Sequence, residues 1–317
     1  MFETIFQERE GYVLVMGGAG VDIVGRVRGE LRPGTSAPGQ IRSSFGGVAR
    51  NVAENLARLG QTVVLVTAVG QDEDGQRLLD SLAQSGVQTD EILQGTDYPT
   101  GSYLAVINAA GELQVALDDM RVISAITPAY IEARQHLFKD AALLFVDMNL
   151  SKETLRTVMS LARKSHLPVC ADPTSAALAG KLLPHLSRLA LITPNTAEAA
   201  ILCDPDIKLS SRKQVLQAAK HLVTMGVDMT IITLAEHGLC YATSETSGYI
   251  PAIRTAIVDP TGAGDALAAA VIFALLNKIP LDDAVRLGVS AASLTLRTRG
   301  AVAPDLSLEK LYDQLVI

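Results

Sequence analysis

Short apolar runs alternate with amphipathic segments along most of the chain. Six such runs predict buried strands: Tyr12–Met16, Thr62–Val66, Ala142–Val146, Pro168–Ala171, Ala190–Ile192 and Met229–Thr233. Five segments between or beyond them carry apolar residues at helical spacing: Val48–Leu59, Gly75–Gln84, Lys152–Lys164, Thr196–Leu202 and Arg212–Met225. Because such alternation is typical of parallel sheets, we expect an α/β fold with helices on both faces of a mostly parallel sheet.

Two stretches break this alternation. Asp22–Ser44 is polar and rich in Gly, Pro and Arg, and Gly101–Asp118 has the pattern of a hairpin. We expect them to pair into a small sheet at the carboxyl edge of the main sheet, where open α/β sheets bind ligands. The predicted organisation is one domain over residues 1–317, with a lid formed by insertions at about 22–44 and 101–119.

Composition narrows the possible partners. The chain has 317 residues, 48% of them hydrophobic, and a net charge of −7, which argues against a nucleic-acid surface because such surfaces need clustered Lys and Arg. The three cysteines show no Cys-x-x-Cys spacing, so we expect neither a disulfide framework nor a thiolate zinc site. No apolar run reaches the roughly 18 residues of a membrane span. We therefore expect a soluble cytoplasmic protein that binds neither membrane nor nucleic acid.

The most informative motif is a glycine turn that leads into an alanine-rich run. In Val258–Ala266, two glycines and an alanine come directly before Asp265. Such a turn directs bare N–H groups of a helix N-terminus at an anion. An aspartate there would repel a bound phosphate, so its presence needs a function of its own. The simplest function is to accept the proton of an attacking hydroxyl, and the motif therefore predicts a kinase with Asp265 as the base. We expect the helix dipole to keep Asp265 ionised without a raised pKa. The alternative is a helix-capping aspartate.

Two further clusters carry polar side chains at helix starts. Gly46-Gly47 opens a helix whose first turn holds Asn51, and an amide there suits sugar hydroxyls because it donates and accepts at once. Asn195 and Glu198 lie three residues apart after a strand, which suits Mg²⁺. The alternatives are a glycine turn in which Asn51 bonds local backbone, and a helix cap made by Asn195 and Glu198.

Other phosphate-binding signatures are missing from the sequence. No G-x-x-x-x-G-K-[ST] motif occurs, and Gly17-Gly18-Ala19-Gly20 lacks the third glycine of a dinucleotide-binding turn. A nicotinamide-dependent oxidoreductase is therefore weakly supported.

Taken together, the three clusters resemble those of the PfkB, or ribokinase-like, carbohydrate kinases over nearly the whole chain. The resemblance implies a three-layer α/β sandwich with a small β-sheet lid, ATP and Mg²⁺ as cofactors, and a small sugar or nucleoside as acceptor. It also implies a monovalent cation, K⁺, beside the anion hole. A second pairing of the 101–118 hairpin, across a two-fold axis, would make a homodimer through the lid.

The resemblance also assigns roles to single residues. Catalysis is assigned to Asp265 as the base, with Gly262, Ala263 and Gly264 forming the anion hole. Acceptor binding is assigned to Asp22, Gly46, Gly47, Asn51 and Asp119. ATP binding is assigned to Asn195, Glu198, Thr233 and Gly238, and metal binding to Glu198, Asp259 and Thr261.

Within the family, several strings are similar to those of pseudouridine kinases, among them Gly47–Leu56, Asp119-Met120 and Asp172-Pro173. They imply phosphorylation of the 5′-hydroxyl of pseudouridine, with ribose, adenosine or fructose as alternative acceptors. A catalytically silent sugar-binding regulator on the same fold is a further alternative. The sequence departs from the family at Ala235, where the nucleotide loop usually has glycine, and at Pro260, which removes a backbone N–H before the anion hole.

Overall fold

An eight-stranded sheet lies at the centre of the structure, a computed structural model that describes residues 6, 9–31, 34–203 and 209–315. Its strand order is β14-β13-β12-β11-β10-β9-β1-β4. The strands are β1 (Tyr12–Met16), β4 (Val63–Val66), β9 (Ala141–Asp147), β10 (Val169–Asp172), β11 (Leu191–Ile192), β12 (Met229–Thr233), β13 (Leu239–Thr243) and β14 (Ser247–Ile250). All neighbouring pairs from β4 to β12 are parallel, and β13 and β14 pair antiparallel at one edge.

Helices cover both faces of this sheet. On one face lie α1 (Val48–Arg58), α2 (Glu73–Gln84), α9 (Ala263–Leu276), α10 (Leu281–Leu296) and α11 (Leu308–Leu315). On the other lie α3 (Pro128–Glu132), α4 (Leu137–Asp140), α5 (Lys152–Lys164), α6 (Ala176–Ala179), α7 (Thr196–Cys203) and α8 (Arg212–Thr224). Short 3₁₀ helices span Arg121–Ala125, Gly180–Arg188 and Ala235–His237. The predicted three-layer α/β arrangement is confirmed.

Strand side chains separate the core into two apolar clusters. In β1, Val13 and Val15 pack with α1 and α9, whereas Leu14 and Met16 pack with the helices of the opposite layer. This alternation follows from the two-residue period of a strand. Helix α9 is buried at ten consecutive positions from Ala266 onward because other elements surround it on all sides.

A small four-stranded sheet, ordered β3-β2-β7-β8, stands beside the main one. Its strands are β2 (Gly20–Val27), β3 (Gly39–Gly46), β7 (Gly101–Ile107) and β8 (Leu113–Asp119). The two stretches that break the sequence pattern do pair, because β2 runs parallel to β7. Residues 32–33 of the predicted insertion lie outside the described residues. A further pair, β5 (Ala68–Gly70) and β6 (Leu93–Gly95), was not predicted.

One face of the small sheet is apolar and open to solvent. Ile41, Leu104 and Leu117 share this face by register, and their exposed fractions are 79%, 37% and 66%. Homodimerisation through the small sheet stays a prediction. Within the described part of the chain, no helix has the length and apolar character needed to cross a bilayer.

A fully buried carboxylate, Asp147, joins three connections at the end of β9. Its Oδ2 accepts hydrogen bonds from the backbone N–H groups of Gly18, at 2.8 Å, and Ala49, at 3.0 Å. Its Oδ1 accepts from the backbone and the side-chain amide of Asn149, at 2.8 and 3.0 Å. Burial raises the pKa of Asp147, and these donors act in the opposite direction. A Cβ at Gly17 would collide with the carboxylate, so the chain passes it only as glycine.

We expect Asp147→Asn to lower the free energy of unfolding by about 2–3 kcal/mol, because one acceptor oxygen becomes an NH₂ that faces N–H donors. Urea unfolding followed by circular dichroism measures this loss. Asn149→Ala is the matched control, since it removes one of the four donors and leaves the carboxylate. Equal losses in the two variants would contradict the account.

Candidate active site

The N-terminus of α9 presents bare backbone amides. Gly262 is the N-cap residue with a left-handed φ of 77°, and among the described residues no side chain caps this helix. A Cβ at Gly262 would collide with the carbonyl oxygen of Ala301, so the close approach requires glycine. Gly264 is exposed, and apart from its neighbours in the helix no described atom lies within 4 Å of where its Cβ would stand. The first-turn N–H groups of α9, at Ala263 and Gly264 in particular, are therefore available to an anion.

A second glycine-capped helix meets α9 at Asp265. Helix α1 begins after Gly47, whose φ is 95° and which has no side chain to cap the helix, and Asp147 accepts from the N–H of Ala49 in the first turn. Asn51, in its first turn, is 3% exposed and donates its Nδ2 to Oδ2 of Asp265 at 2.7 Å. The predicted base and the predicted sugar-binding amide are thus in direct contact. The alternative interpretation had the Asn51 amide bonding local backbone. In the structure this amide bonds the side chains of Asp265 and Arg50 instead.

Arg50 lies behind this pair, and the sequence analysis missed it. Its Nη1 donates to Oδ1 of Asn51 at 3.0 Å and to the carbonyl of Phe45 at 3.1 Å. Its Nη2 forms an ion pair with Glu54, and both residues are about 95% buried, with exposures of 5% and 4%. A signal was present in the sequence, since two charged residues four apart occupy inward positions of an amphipathic helix.

Asp22 and Gly46 lie together where the small sheet meets α1. Asp22 is 8% exposed, and a Cβ at Gly46 would collide with its carboxylate. Burial raises the pKa of Asp22 to about 6, with Arg50 acting to lower it and Asp259 to raise it. These two predicted acceptor residues are brought close to each other as expected.

The structure does not bring Asp119 together with Asp22. Register pairs Asp22 with Tyr103 and Tyr103 with Asp118, so Asp118 shares the face of Asp22 while Asp119 lies on the opposite face. Asp119 instead accepts from the Arg121 guanidinium at 2.6 and 2.8 Å, and this pairing lowers its pKa to about 2. Its role in acceptor binding stays a prediction.

Asn195 and Glu198 form a reciprocal cap at the start of α7. Oδ1 of Asn195 accepts from the N–H groups of Ala197 and Glu198 at 2.9 and 3.0 Å. Glu198 Oε2 accepts from the N–H of Asn195 at 2.9 Å. The capping alternative is therefore realised, with Glu198 only 5% exposed. Burial raises the pKa of Glu198.

Asp172, at the end of β10, is a second buried acid near this cap. It accepts from the hydroxyl of Thr193 at 3.0 Å and from the N–H of Thr174 at 2.7 Å. Burial raises its pKa well above the usual value, and the charges of Asp265 and Glu198 raise it further. No chemical role was predicted for Asp172, although it directly follows the predicted strand Pro168–Ala171, at the edge where ligands bind in such sheets.

Two cavities flank the segment 259–261. The first, about 530 Å³, is lined by Thr233, Gly238, Ala263 and Gly264 together with apolar residues of 252–257 and α10. Residues predicted for the nucleotide and for the anion hole therefore share one cavity. The α10 side of it was not predicted. Asn195 and Glu198 do not line it.

The second cavity, about 930 Å³, lies under the small sheet and is lined in part by Arg42, Tyr103, Asp259 and Thr261. Pro260 lines both cavities, and Asp265 lines neither, although it follows Gly264 directly. The carboxylate of Asp259 accepts from the N–H groups of Thr261, at 3.0 Å, and Gly300, at 3.3 Å.

Comparison with known proteins places the chain in a family. Residues 11–307 match the pfkB family carbohydrate kinases. The chain belongs to the PfkB family. It is 34% identical to the pseudouridine kinase of Escherichia coli K12, over 94% of each chain. It is 28% identical to the guanosine-inosine kinase of Exiguobacterium acetylicum, over 93% of this chain and 97% of that one. The structure of Arabidopsis thaliana ribokinase with ribose and ATP matches it with a TM-score of 0.85 at 20% identity, over 98% and 100% of the two chains, which supports the ribokinase-like fold.

As a PfkB kinase, the protein is a phosphotransferase that acts on an alcohol group, and the family implies ATP and Mg²⁺. The residues present fit Mg²⁺. In the described part of the chain no cluster of three or more His, Cys, Asp or Glu forms a metal cage. Mg²⁺ does not need one, since it keeps several waters and uses one or two carboxylates plus phosphates. Burial raises the pKa of both Asp172 and Glu198, and a cation beside them would favour their ionised forms.

The pKa of Asp265 differs from the sequence-based expectation. Burial raises it to about 7, against the hydrogen bond from Asn51, and the charges of Asp147, Asp22 and Glu198 raise it further. The expectation of an unperturbed, ionised base was therefore wrong. The helix N-terminus favours the anion, but it is outweighed by desolvation and by carboxylates from three other segments.

The departure at Ala235 has a structural cost. In the loop after β12, Ala235 adopts a left-handed φ of 49°, and Gly238 adopts 92°. A residue with a Cβ is disfavoured in this region, whereas glycine adopts it freely. The usual glycine at position 235 is thus explained by the backbone that the loop requires.

We expect Ala235→Gly to leave the free energy of unfolding unchanged or to raise it by up to about 1 kcal/mol, so that stability is kept or increased. Relief of the left-handed strain offsets the extra freedom of glycine in the unfolded chain. Ala83→Gly, at an exposed position of α2, is the matched control and should cost about 0.5–1 kcal/mol. Urea unfolding measures both variants, and equal losses would refute the strain at Ala235.

Proposed function

We propose that the protein transfers the γ-phosphoryl group of ATP to the 5′-hydroxyl of pseudouridine, yielding pseudouridine 5′-phosphate and ADP. The choice of acceptor is supported by the E. coli pseudouridine kinase, with which it shares 34% identity over 94% of each chain. The motifs Gly47–Leu56 and Asp172-Pro173, similar to those of pseudouridine kinases, support the same acceptor.

The observation that carries the proposal is the position of Asp265. Its carboxylate follows two bare glycine-turn amides, is held by Asn51 at 2.7 Å, and comes four residues after a segment that borders both cavities. In our proposal the first cavity takes ATP, with Thr233 and Gly238 in its wall, and the acceptor enters beneath the small sheet. Asn195 and Glu198 would organise the phosphates.

Asp265 then acts as the base. The 5′-oxygen attacks the γ-phosphorus while its proton passes to Asp265, and the bond from the γ-phosphorus to the bridging oxygen breaks, so that its electron pair leaves with ADP. The amides of Ala263 and Gly264 donate to the phosphoryl oxygens as negative charge builds on them. Mg²⁺, when bound, neutralises phosphate charge.

Acceptor hydroxyls would be held by Asp22 and Asn51, with Gly46 and Gly47 leaving room for the sugar. Asn51 keeps one N–H for this purpose after its bond to Asp265. The small sheet would exclude water as a lid. We also propose K⁺ near Asp259 and Thr261, which meet Gly300 beside the anion hole.

A second class of acceptor, purine nucleosides, is favoured by the 28% identity to a guanosine-inosine kinase. A panel of pseudouridine, uridine, inosine, guanosine, adenosine, ribose and fructose decides between them. Release of ADP is measured for each, and phosphorus NMR locates the new phosphate ester. We expect the highest kcat/KM for pseudouridine with the ester at the 5′ position. A higher value for any other acceptor would refute the proposed substrate.

We expect Asp265→Asn to lower kcat by about 10²–10⁴-fold, the usual scale for loss of a general base. The affinity for ATP, measured by calorimetry, should stay near that of the wild type because the amides of the α9 turn are unchanged. Turnover within threefold of the wild type would exclude Asp265 as the base.

The pH dependence follows from the pKa of about 7 at Asp265. A base acts in its unprotonated form, so kcat/KM for the acceptor should fall as the pH drops below about 7 and level off above it. Profiles from about pH 5.5 to 8.5 at constant ionic strength test this. A wild-type profile that stays flat down to about pH 5.5 would contradict the assignment.

A further inference from the structure

The side chain of Arg50 lies where it controls the amide of Asn51. Its Nη1 is 3.0 Å from Oδ1 of Asn51, and Nδ2 of Asn51 is 2.7 Å from Oδ2 of Asp265. We infer that Arg50 is a positioning residue that fixes which end of the Asn51 amide faces the base. The inference rests on the proposed function, since it assigns a role beside the same carboxylate.

A side-chain amide has a donor end and an acceptor end, and the two have nearly the same shape. Arginine carries no acceptor, so only Oδ1 of Asn51 can face Nη1 of Arg50. Nδ2 must then point to Asp265 and donate to it. With Oδ1 turned to Asp265 instead, two acceptors would meet, and the carboxyl would have to keep its proton to form a bond.

Arg50 is itself held on several sides. Its Nη1 also donates to the carbonyl of Phe45 at 3.1 Å, its Nη2 pairs with Glu54, and its guanidinium lies 5.9 Å from the centre of the Phe45 ring. The planar guanidinium of an arginine can reach Asn51, Phe45 and Glu54 at once. A lysine has a single nitrogen, so it can pair with Glu54 without reaching both Phe45 and Asn51.

The charges around Asp265 make this orientation consequential. Four carboxylates face Asp265 from other elements, and the negative charge of each favours the protonated form of Asp265. They are those of Asp22, Asp147, Asp172 and Glu198. The bond from Asn51 favours the ionised form. Arg50 lies beyond Asn51, and its charge is balanced by Glu54, which also pairs with Arg58 at 2.7 Å.

The test is Arg50→Lys, which keeps a cation beside Glu54 and removes the fork. The matched control is Arg58→Lys, the same substitution at the other arginine that pairs with Glu54. Arg58 donates to Glu54 through Nε and Nη2 and lies on the far side of Glu54 from Arg50 in the sequence of the helix. In Arg50→Lys we expect the acidic midpoint of kcat/KM to rise by about one pH unit, the scale of one lost hydrogen bond to a charged group. We also expect about fivefold lower kcat near pH 7, because the ionised fraction of the base falls by that factor, with KM for ATP unchanged. Arg58→Lys should keep the wild-type profile.

An unchanged midpoint in Arg50→Lys, or an equal shift in Arg58→Lys, would overturn the inference. If Arg50→Lys does not fold, Arg50→Gln takes its place with the same expected shift. A wild type that is inactive on every acceptor would refute the proposed function alone. Carbon NMR titration of the aspartate carboxyls, with Asp265→Asn identifying the signal, then measures the midpoint without turnover, and an unshifted Asp265 signal in Arg50→Lys would refute the inference.

Discussion

The arrangement of the active site is governed by a group of carboxylates at one end of the main sheet. Asp22, Asp147, Asp172, Glu198 and Asp265 are all buried or half-buried there, and burial raises the pKa of each. Buried charges are tolerated only where donors or counter-charges meet them. The chain meets this requirement with backbone amides at helix N-termini, since Asp147 binds the start of α1 and Glu198 binds the start of α7. What remains uncompensated is negative charge, which suits a PfkB kinase whose ATP arrives with a cation.

The use of backbone amides as partners of negative charge also explains why α1 and α9 begin at glycine. A capping Ser or Asp would satisfy the first amides of a helix from within the protein. Neither Gly47 nor Gly262 has such a side chain, and both occupy backbone conformations that L-residues rarely adopt. In α1 the N–H of Ala49 is bonded by Asp147, whereas no described side chain bonds the first amides of α9. Some stability is thereby given up at the start of α9, where we propose that the phosphoryl group binds.

Much of this fold follows from periodicity, because apolar spacing records which face of each element is buried. The six predicted strands and five predicted helices are present with ends shifted by two residues or fewer. The edge strands β13 and β14 were not predicted, since a short antiparallel pair has little pattern of its own. The site itself was only partly predictable. The bond between Asn51 and Asp265 joins residues 214 apart, and no local pattern records it.

Two other features also lay beyond the sequence. Whether Asp118 or Asp119 faces Asp22 depends on the register of β7 and β8, and a slip of one residue exchanges the faces. The pKa of Asp265 depends on charges from several segments that meet only in the folded chain. Arg50 would be found from sequence only by asking why an inward helix position carries a charge.

The small sheet has one anchored end and one free end. At its base, Gly20 and Gly46 are paired with each other, and the adjoining Gly18 is bonded by both Asp147 and the backbone of Arg50. At its tip, Arg26 and Leu113 are exposed. In the proposed binding mode, the hydroxyl that reacts meets the anchored base of the small sheet, and the remote part of the acceptor meets the tip. Replacements at the tip can accumulate during divergence without disturbing phosphoryl transfer, which gives one scaffold a route to many different acceptors.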